Sequence, residues 1–261
     1  MSNASPSPAP LRLPAPMTVV DMVWPDQSNH HGTLFGGAAL AMLDRLAFIQ
    51  GSKTLRGSVV TAAIGQLDFK APAPAGHLVE CHATVVRAGR RSVVVATQLI
   101  AEDLLSGRRT ECLRGEFVMV RQAEAHEAAS GAGGDASVVD PEPTDDDAVA
   151  VTTIAEIVFP GHANHRGVVH GGPAMEWMAK AGFVAATRRV RRSVVLAASE
   201  RLDFRAPAHV GDIVEVVARV SRVGNRSVDV DVRMWAECPS TGERRRCTEA
   251  TLVYVAVEAE S

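Results

Sequence analysis

The 261-residue sequence has no continuous apolar run of the roughly 20 residues that a membrane-spanning helix needs. Its four cysteines include no CxxC pair, which argues against a zinc-binding or redox motif. Neither sign of charge is in excess, because 27 Lys and Arg face 30 Asp and Glu, and a formal net charge of -3 gives no reason to expect nucleic-acid binding. A GxSxG nucleophile motif is also missing. Hydrophobic residues make up 46%, enough for an ordinary globular core.

Two segments lack the apolar periodicity of a folded domain. Residues 1–16 are rich in Pro, Ala and Ser and lack the basic start and apolar core of a signal peptide. We therefore expect a disordered tail and a cytoplasmic protein. Residues 124–150, which include a Gly-rich run and three consecutive aspartates, are expected to form a flexible linker. The aspartates lack the alternating ligand pattern of a calcium loop, so no metal site is expected.

What the sequence does contain is a duplication. The run LDFKAP at 67–72 recurs as LDFRAP at 202–207, an offset of 135 residues. The same offset, without insertion or deletion between about 19 and 123, relates Pro25 to Pro160, Asn29 to Asn164, Gly36 to Gly171, Gly76 to Gly211, Arg91 to Arg226 and Cys112 to Cys247. Chance would not hold one register across so many landmarks. We therefore predict two copies of one domain, a first copy at 17–123 and a second copy at 151–261.

Each copy has a β-α-β-β-β-β pattern. In the first copy a strand over 18–24 precedes a Gly-Gly pair that opens a helix over 38–50, for which Gly51 is the expected stop. Four strand-rich stretches follow, near 58–70, 77–88, 91–103 and 109–121. The order predicts an α+β fold in which an antiparallel sheet wraps around one long helix. Joining the two sheets edge to edge would cover an exposed edge of each.

The sequence PDQSNHHGTLFGG at 25–37, followed by Met42, Leu43 and Asp44, resembles the hotdog-fold acyl-CoA thioesterases, in particular the cytosolic long-chain type with tandem domains. The second copy repeats this motif as NHRGVVHGG at 164–172. The resemblance covers nearly the whole chain except the tail and the linker. It implies a double hotdog that hydrolyses the thioester of medium- to long-chain acyl-CoA without a metal or redox cofactor. It also implies sites between two units, where one gives an acid from its helix and the other an Asn and a helix-start Gly.

The helix start after each Gly-Gly pair suits a thioester carbonyl, because its free N–H groups and positive dipole stabilise a developing oxyanion. The alternative is that these glycines only permit tight helix packing. Asp44 lies about two turns into the first helix and matches the family's acid, acting as general base or as nucleophile. Thr61 is its expected hydroxyl partner. We predict one working site, formed by Asp44 and Thr61 with Asn164 and Gly171.

The opposite pairing predicts a degenerate site. The counterparts of Asp44 and Thr61 are Ala179 and Leu196, so Asn29 and Gly36 face no acid. A competing hypothesis is that Glu176, nearly one turn before Ala179, replaces the missing acid.

Further residues are candidates for substrate contact. Coenzyme A carries phosphates, which favour basic turns, although such clusters also occur on solvated faces. The candidates for contact with acyl-CoA are Gly172, His170, Arg90, Arg91, Ser92, Asn225, Arg226 and Ser227. The other loop histidines are expected to serve loop packing or substrate contact.

Two other functions stay open at this point. One is a non-catalytic protein that binds or senses acyl-CoA, and the other is a hotdog enoyl-CoA hydratase. By analogy with relatives, we also expect a homo-oligomer, a trimer of double hotdogs.

Overall fold

The computed structural model describes residues 13–122 and 151–257. The predicted linker and the first twelve residues of the predicted tail lie outside the described residues. Among those described, no helix is long and apolar enough to cross a membrane.

The first copy begins with a strand and a one-turn 3-10 helix at Pro25–Gln27. Its other elements are β1 at Met17–Met22, α1 at Gly36–Leu55, β2 at Val59–Ile64, β3 at Leu67–Phe69, β4 at Leu78–Ala88, β5 at Ser92–Glu102 and β6 at Arg109–Arg121. The stretch predicted as one strand near 58–70 is divided into β2 and β3.

The second copy repeats this order, with its 3-10 turn at Pro160–His162. Its elements are β7 at Val151–Ile157, α2 at Gly171–Val190, β8 at Val194–Ser199, β9 at Leu202–Phe204, β10 at Ile213–Val223, β11 at Ser227–Glu237 and β12 at Arg244–Ala256.

All strand pairs are antiparallel and form one 12-stranded sheet that runs β1-β4-β5-β6-β2-β9-β12-β11-β10-β7. The two copies meet where β2 pairs with β9 and β3 pairs with β8, in the registers Ala63 with Asp203 and Leu67 with Ser199. This junction confirms the predicted edge-to-edge joining. Each half is a sheet around one 20-residue helix, so the predicted double hotdog architecture is also confirmed.

The core follows from the periodicity of the sequence. In α1 the apolar residues Leu40, Leu43 and Ala47 recur at three- and four-residue spacing and are buried. In β4 the side chains alternate between buried and more exposed positions, as a strand with one face on the core requires. The helices lie against the buried face of the sheet and also contact each other.

The prediction that the first helix stops at Gly51 is wrong. The helix continues to Leu55 and ends where Arg56 adopts a left-handed conformation with φ of 52°. Gly51 lies inside the helix, and a Cβ at this position would lie 2.9 Å from the Cβ of Met119 on β6. The glycine therefore permits close approach of helix and sheet rather than termination.

Candidate active site

The two helices approach each other closely near their starts. A Cβ on Gly172 would lie 2.9 Å from the Cα of Ala41, and a Cβ on Gly37 would lie 2.9 Å from the Cα of Glu176. Only glycine allows backbones to come so near. As a result, the middle of each helix lies beside the start of the other.

This crossing brings Asp44 of the first copy to the start of α2. The side chain is only 1% exposed. Its Oδ2 accepts a hydrogen bond of 2.9 Å from the backbone N–H of Gly172, and its Oδ1 accepts one of 2.7 Å from the Thr61 hydroxyl. Buried carboxylates need such donors to offset desolvation. These bonds, and the positive end of the α2 dipole, let an acid exist in an otherwise apolar segment.

Gly171 leaves the space beside this carboxylate open. A Cβ at Gly171 would lie 2.7 Å from Oδ1 of Asp44 and 3.0 Å from Oγ1 of Thr61. Of the four residues predicted to form the working site, three thus lie together: Asp44, Thr61 and Gly171. Gly172, predicted only as a substrate contact, is the direct donor to the acid.

Burial raises the pKa of the Asp44 carboxyl and outweighs the hydrogen bonds from Thr61 and Gly172, which lower the pKa. The pKa of His170, which precedes α2, is lowered by burial, and the nearby Asp44 only partly opposes this effect. The His170 ring packs edge-on against Phe48, with ring centroids 4.8 Å apart. When it is ionised, a carboxylate of raised pKa is a stronger base than an ordinary carboxylate.

Asn164 is not a hydrogen-bond partner of Asp44; it lies on the loop that leads into His170 and α2. Its Oδ1 accepts backbone N–H groups of Arg166 at 2.9 Å and Val168 at 3.2 Å. Among the described residues, its Nδ2 donates to none. The Oδ1 atom of Asn164 thus shapes the loop, and its amide nitrogen is not used within these residues.

Asn29 in the first copy differs at this point. Its Oδ1 also accepts backbone N–H groups, but its Nδ2 donates to Oγ1 of Thr33 at 3.0 Å. The counterpart of Thr33 is Val168, which has no hydroxyl. This asymmetry escaped the sequence analysis, although the Thr-to-Val difference at equivalent loop positions is visible in the sequence.

At the other interface, the positions equivalent to Asp44 and Thr61 are apolar. A Cβ on Gly36 would lie 3.1 Å from Cδ2 of Leu196, and Ala179 is buried. The fully buried Tyr254, a residue that sequence reasoning missed, donates its hydroxyl to the carbonyl of Ala179 at 2.8 Å. Glu176, the proposed substitute for the missing acid, lies against Gly37 at the start of α1 but is not buried as Asp44 is, and its role stays a prediction. The Glu176 carboxylate pairs with Lys180 at 2.9 Å, and its side chain is 34% exposed.

The structure does not bring the basic turns to the acid. Arg90, Arg91 and Ser92 are exposed beyond the end of α1, where the Arg91 carbonyl accepts the N–H of Arg121. The end of α1 lies about 16 Å along the helix from Asp44. Arg226 is exposed in the equivalent turn before β11, beside Asn225 and the less exposed Ser227. These residues stay predictions as contacts for phosphates. Among residues 13–122 and 151–257, no group of three or more His, Cys, Asp or Glu is placed to hold a metal ion.

A duplicated helix-and-sheet unit with a carboxylate of one copy at the helix start of the other defines a tandem hotdog protein. The model of the thioesterase superfamily matches residues 31–107 and 166–242, once in each copy. The chain therefore belongs to the thioesterase superfamily.

Three similar proteins illustrate the family. Acyl-coenzyme A thioesterase 11 from Mus musculus is 25% identical over 95% of this chain, and the match covers 48% of that protein. Cytosolic acyl coenzyme A thioester hydrolase from Rattus norvegicus is 21% identical over 90% of this chain and 73% of its own length. The crystal structure of an acyl-CoA hydrolase from Agrobacterium tumefaciens is 40% identical, covers 95% of this chain and 97% of that chain, and has a TM-score of 0.42. This chain thus spans about half the length of the mouse relative.

Proposed function

We propose that the protein is an acyl-CoA thioesterase that hydrolyses medium- to long-chain acyl-CoA to a free acid and coenzyme A at one composite site. The observation that carries the proposal is the buried Asp44 carboxylate bonded to the Gly172 N–H of the other copy. Family membership supports the reaction class, since relatives across the whole chain are named as acyl-CoA thioesterases or thioester hydrolases.

In the proposed reaction the thioester carbonyl lies at the start of α2. The positive end of the α2 dipole and the side-chain N–H groups of Asn164 stabilise the oxyanion. Asp44, oriented by Thr61, removes a proton from water, and the oxygen of that water bonds to the carbonyl carbon. The C–S bond then breaks, and the thiolate leaving group takes up the proton. In the alternative route the Asp44 oxygen itself displaces the thiolate, and water hydrolyses the resulting anhydride.

Single-residue variants test the composite site. Asp44→Ala and Asn164→Ala should each lower kcat/KM for thiol release by at least about 100-fold, as expected when a base or an oxyanion donor is lost. Asn29→Ala is the matched control and should leave kcat/KM nearly unchanged, because Ala179 stands at the position equivalent to Asp44 in that interface. Equal damage from both Asn variants contradicts the one-site proposal. A series of acyl-CoA chain lengths in the same assay tests the substrate range.

The assay also separates the rival functions. A protein that binds acyl-CoA tightly yet releases no thiol is a binding or sensing protein. Hydration of enoyl-CoA without loss of the thioester identifies a hydratase. The buried carboxylate of Asp44 at the start of α2 supports hydrolysis over both.

Location and assembly belong to the same proposal. We infer a cytoplasmic protein, supported by a relative named as cytosolic. We also infer a trimer of double hotdogs, supported by the edge strand β1, in which Val19 and Val20 are 43% and 56% exposed. Light scattering should give about three times the chain mass of 27.6 kDa. A monomeric mass contradicts the assembly but not the activity.

A further inference from the structure

The end of α2 carries a dense group of arginines. Arg188 and Arg189 lie in the last turn of the helix, Arg191 and Arg192 follow it, and all four are exposed. The turn between β10 and β11 adds Arg226, which is also exposed. We call these five residues the arginine surface.

Backbone hydrogen bonds place the turn beside the end of the helix. The N–H of Ala256 donates to the carbonyl of Arg226 at 2.9 Å, and the N–H of Val257 donates to the carbonyl of Ser193 at 3.0 Å. Ser193 directly follows Arg192. The end of β12 thus joins the two parts of the arginine surface at one end of the second copy.

Among residues 13–122 and 151–257, no acid is paired with any of the five arginines. Residues 177–199 contain no Asp or Glu, and Asp229 on β11 is paired with Arg222 at 3.4 Å. The negative end of the α2 dipole favours cations in the last turn, but it does not account for Arg226, which lies on another element. Because like charges repel one another, this surface suits a partner that carries several negative charges.

The first copy has fewer cations at the equivalent helix end. The counterparts of Arg188 and Arg191 are Lys53 and Arg56, whereas Arg189 and Arg192 correspond to Thr54 and Gly57. The number of charges at the helix end has therefore diverged between the copies. The second copy needs a partner of high negative charge more than the first copy does.

The sequence that joins the copies has the opposite charge. Residues 124–150 contain no Lys or Arg, and their acids are Glu124, Glu127, Asp135, Asp140, Glu142 and the run Asp145 to Asp147. That run ends four residues before Val151, which lies opposite Arg219 near the end of β10. The turn that holds Arg226 follows β10 directly. Four to six residues of chain reach at most about 20 Å, so the three aspartates are tethered close to the arginine surface.

We propose that the acidic run Asp145–Asp147 binds the arginine surface. A tether this short gives the aspartates an effective concentration in the millimolar range or above. Each exposed ion pair is weak, but guanidinium groups bind carboxylates in a bidentate geometry, and several pairs act together. The consequence is that the arginine surface is occupied by the protein's own chain rather than open to other polyanions. This inference does not depend on the proposed function.

Competition with an external polyanion tests the proposal. The probe is a fluorescent heparin octasaccharide, titrated into the full chain at an ionic strength of about 0.15 M, where the Debye length is about 8 Å. The triple variant Asp145→Asn, Asp146→Asn, Asp147→Asn should bind the probe about fivefold more tightly than the wild type, because the competitor is lost. The matched control is Asp135→Asn, Asp140→Asn, Glu142→Gln. It changes the net charge equally, but its residues lie farther from Val151, and its affinity should stay within about twofold.

A second background shows whether the effect acts through the arginine surface. With Arg188, Arg189, Arg191 and Arg192 all replaced by Gln, removal of the three aspartates should change probe affinity by less than about twofold. Equal tightening by the matched control, or unchanged affinity in the Asp145–Asp147 variant, overturns the proposal. A fivefold effect that persists without the four arginines also overturns it.

Anionic lipid is the competing occupant of the arginine surface. Vesicles of phosphatidylserine and phosphatidylcholine should bind the Asp145–Asp147 variant more tightly than the wild type in a sedimentation assay. If the wild type binds them as tightly as that variant does, the arginine surface is open to lipid and the proposal is wrong. The melting temperature of each variant checks that the fold is retained.

Discussion

Replacing Val168 by Thr should add a hydrogen-bond acceptor for the side-chain amide of Asn164, which the proposed reaction uses. In the first copy the Thr33 hydroxyl holds the amide nitrogen of Asn29 at 3.0 Å. Thr has nearly the shape of Val, and Val168 is only 9% exposed. The new hydroxyl should therefore accept a hydrogen bond from the side-chain amide of Asn164. A neutral hydrogen bond is worth about 1 kcal/mol. Donation to substrate would have to break that bond, which corresponds to about a fivefold lower kcat/KM.

The assay is thiol release under kcat/KM conditions, with the melting temperature of each variant as a check on folding. Thr33→Val is the matched control, because it frees the amide of Asn29 at an interface without an acid and should leave turnover unchanged. If Val168→Thr retains full kcat/KM in a folded protein, the Asn164 amide does not act on the substrate. If Thr33→Val changes turnover as much as Val168→Thr does, the two loops do not differ in the way that their hydrogen bonds indicate.

Three further outcomes follow from local contacts. Gly171→Ala should reduce kcat/KM by at least about 100-fold, because its Cβ would lie 2.7 Å from Oδ1 of Asp44. In Gly36→Ala the Cβ would meet only apolar side chains, Leu196 at 3.1 Å and Phe69 at 3.4 Å, so kcat/KM should stay close to that of the wild type. Similar thiol release by both variants contradicts this expectation. Burial raises the pKa of Asp44, so the stability that its proton gives the folded state is present below the ordinary carboxyl pKa and lost as pH rises through the raised value. Asp44→Asn should therefore raise the melting temperature more at neutral than at acidic pH, and a pH-independent difference in scanning calorimetry is the contrary result. Gly182→Ala should lower the free energy of unfolding by about 1–3 kcal/mol through overpacking, because its Cβ would lie 2.6 Å from the hydroxyl of Tyr254. Urea unfolding measures this change. An unchanged midpoint would mean that the Tyr254 ring moves aside without cost.

The fold was predictable because duplication and periodicity are properties of the sequence itself. A constant offset of 135 residues identifies the two copies, and the spacing of Leu40, Leu43 and Ala47 identifies a buried helix face. Joining at the sheet edges follows from the need to pair exposed strands. Asp44 could be singled out because its position matches the acid of the family that the sequence resembles, and the repeat shows Ala179 in the corresponding place.

Features that depend on distances between packed elements were not predictable. Gly51 has the composition of a helix stop, but its place against Met119 is set by how closely the sheet approaches. The donor to Asp44 is the N–H of Gly172 rather than that of Gly171, a difference of one residue that only the helix crossing decides. The cavity of about 460 Å³ that Asn29, Phe35 and Phe183 help to line likewise depends on the packing of side chains from both copies and not on any motif.

The loss of polar residues from one interface has a physical advantage. A buried carboxylate carries a desolvation cost of several kcal/mol, only part of which its hydrogen bonds offset. A symmetric dimer of identical domains bears that cost at both interfaces, because each substitution appears twice. In a fused chain the copies vary separately, so Ala179 and Leu196 can replace the acid and its hydroxyl partner at one interface while Asp44 remains at the other. Tyr254, fully buried and bonded to the carbonyl of Ala179, adds packing where the first copy has Met119 beside Thr61. The second copy thus places well-packed apolar side chains at the positions where the first copy bears the desolvation cost of a buried carboxylate.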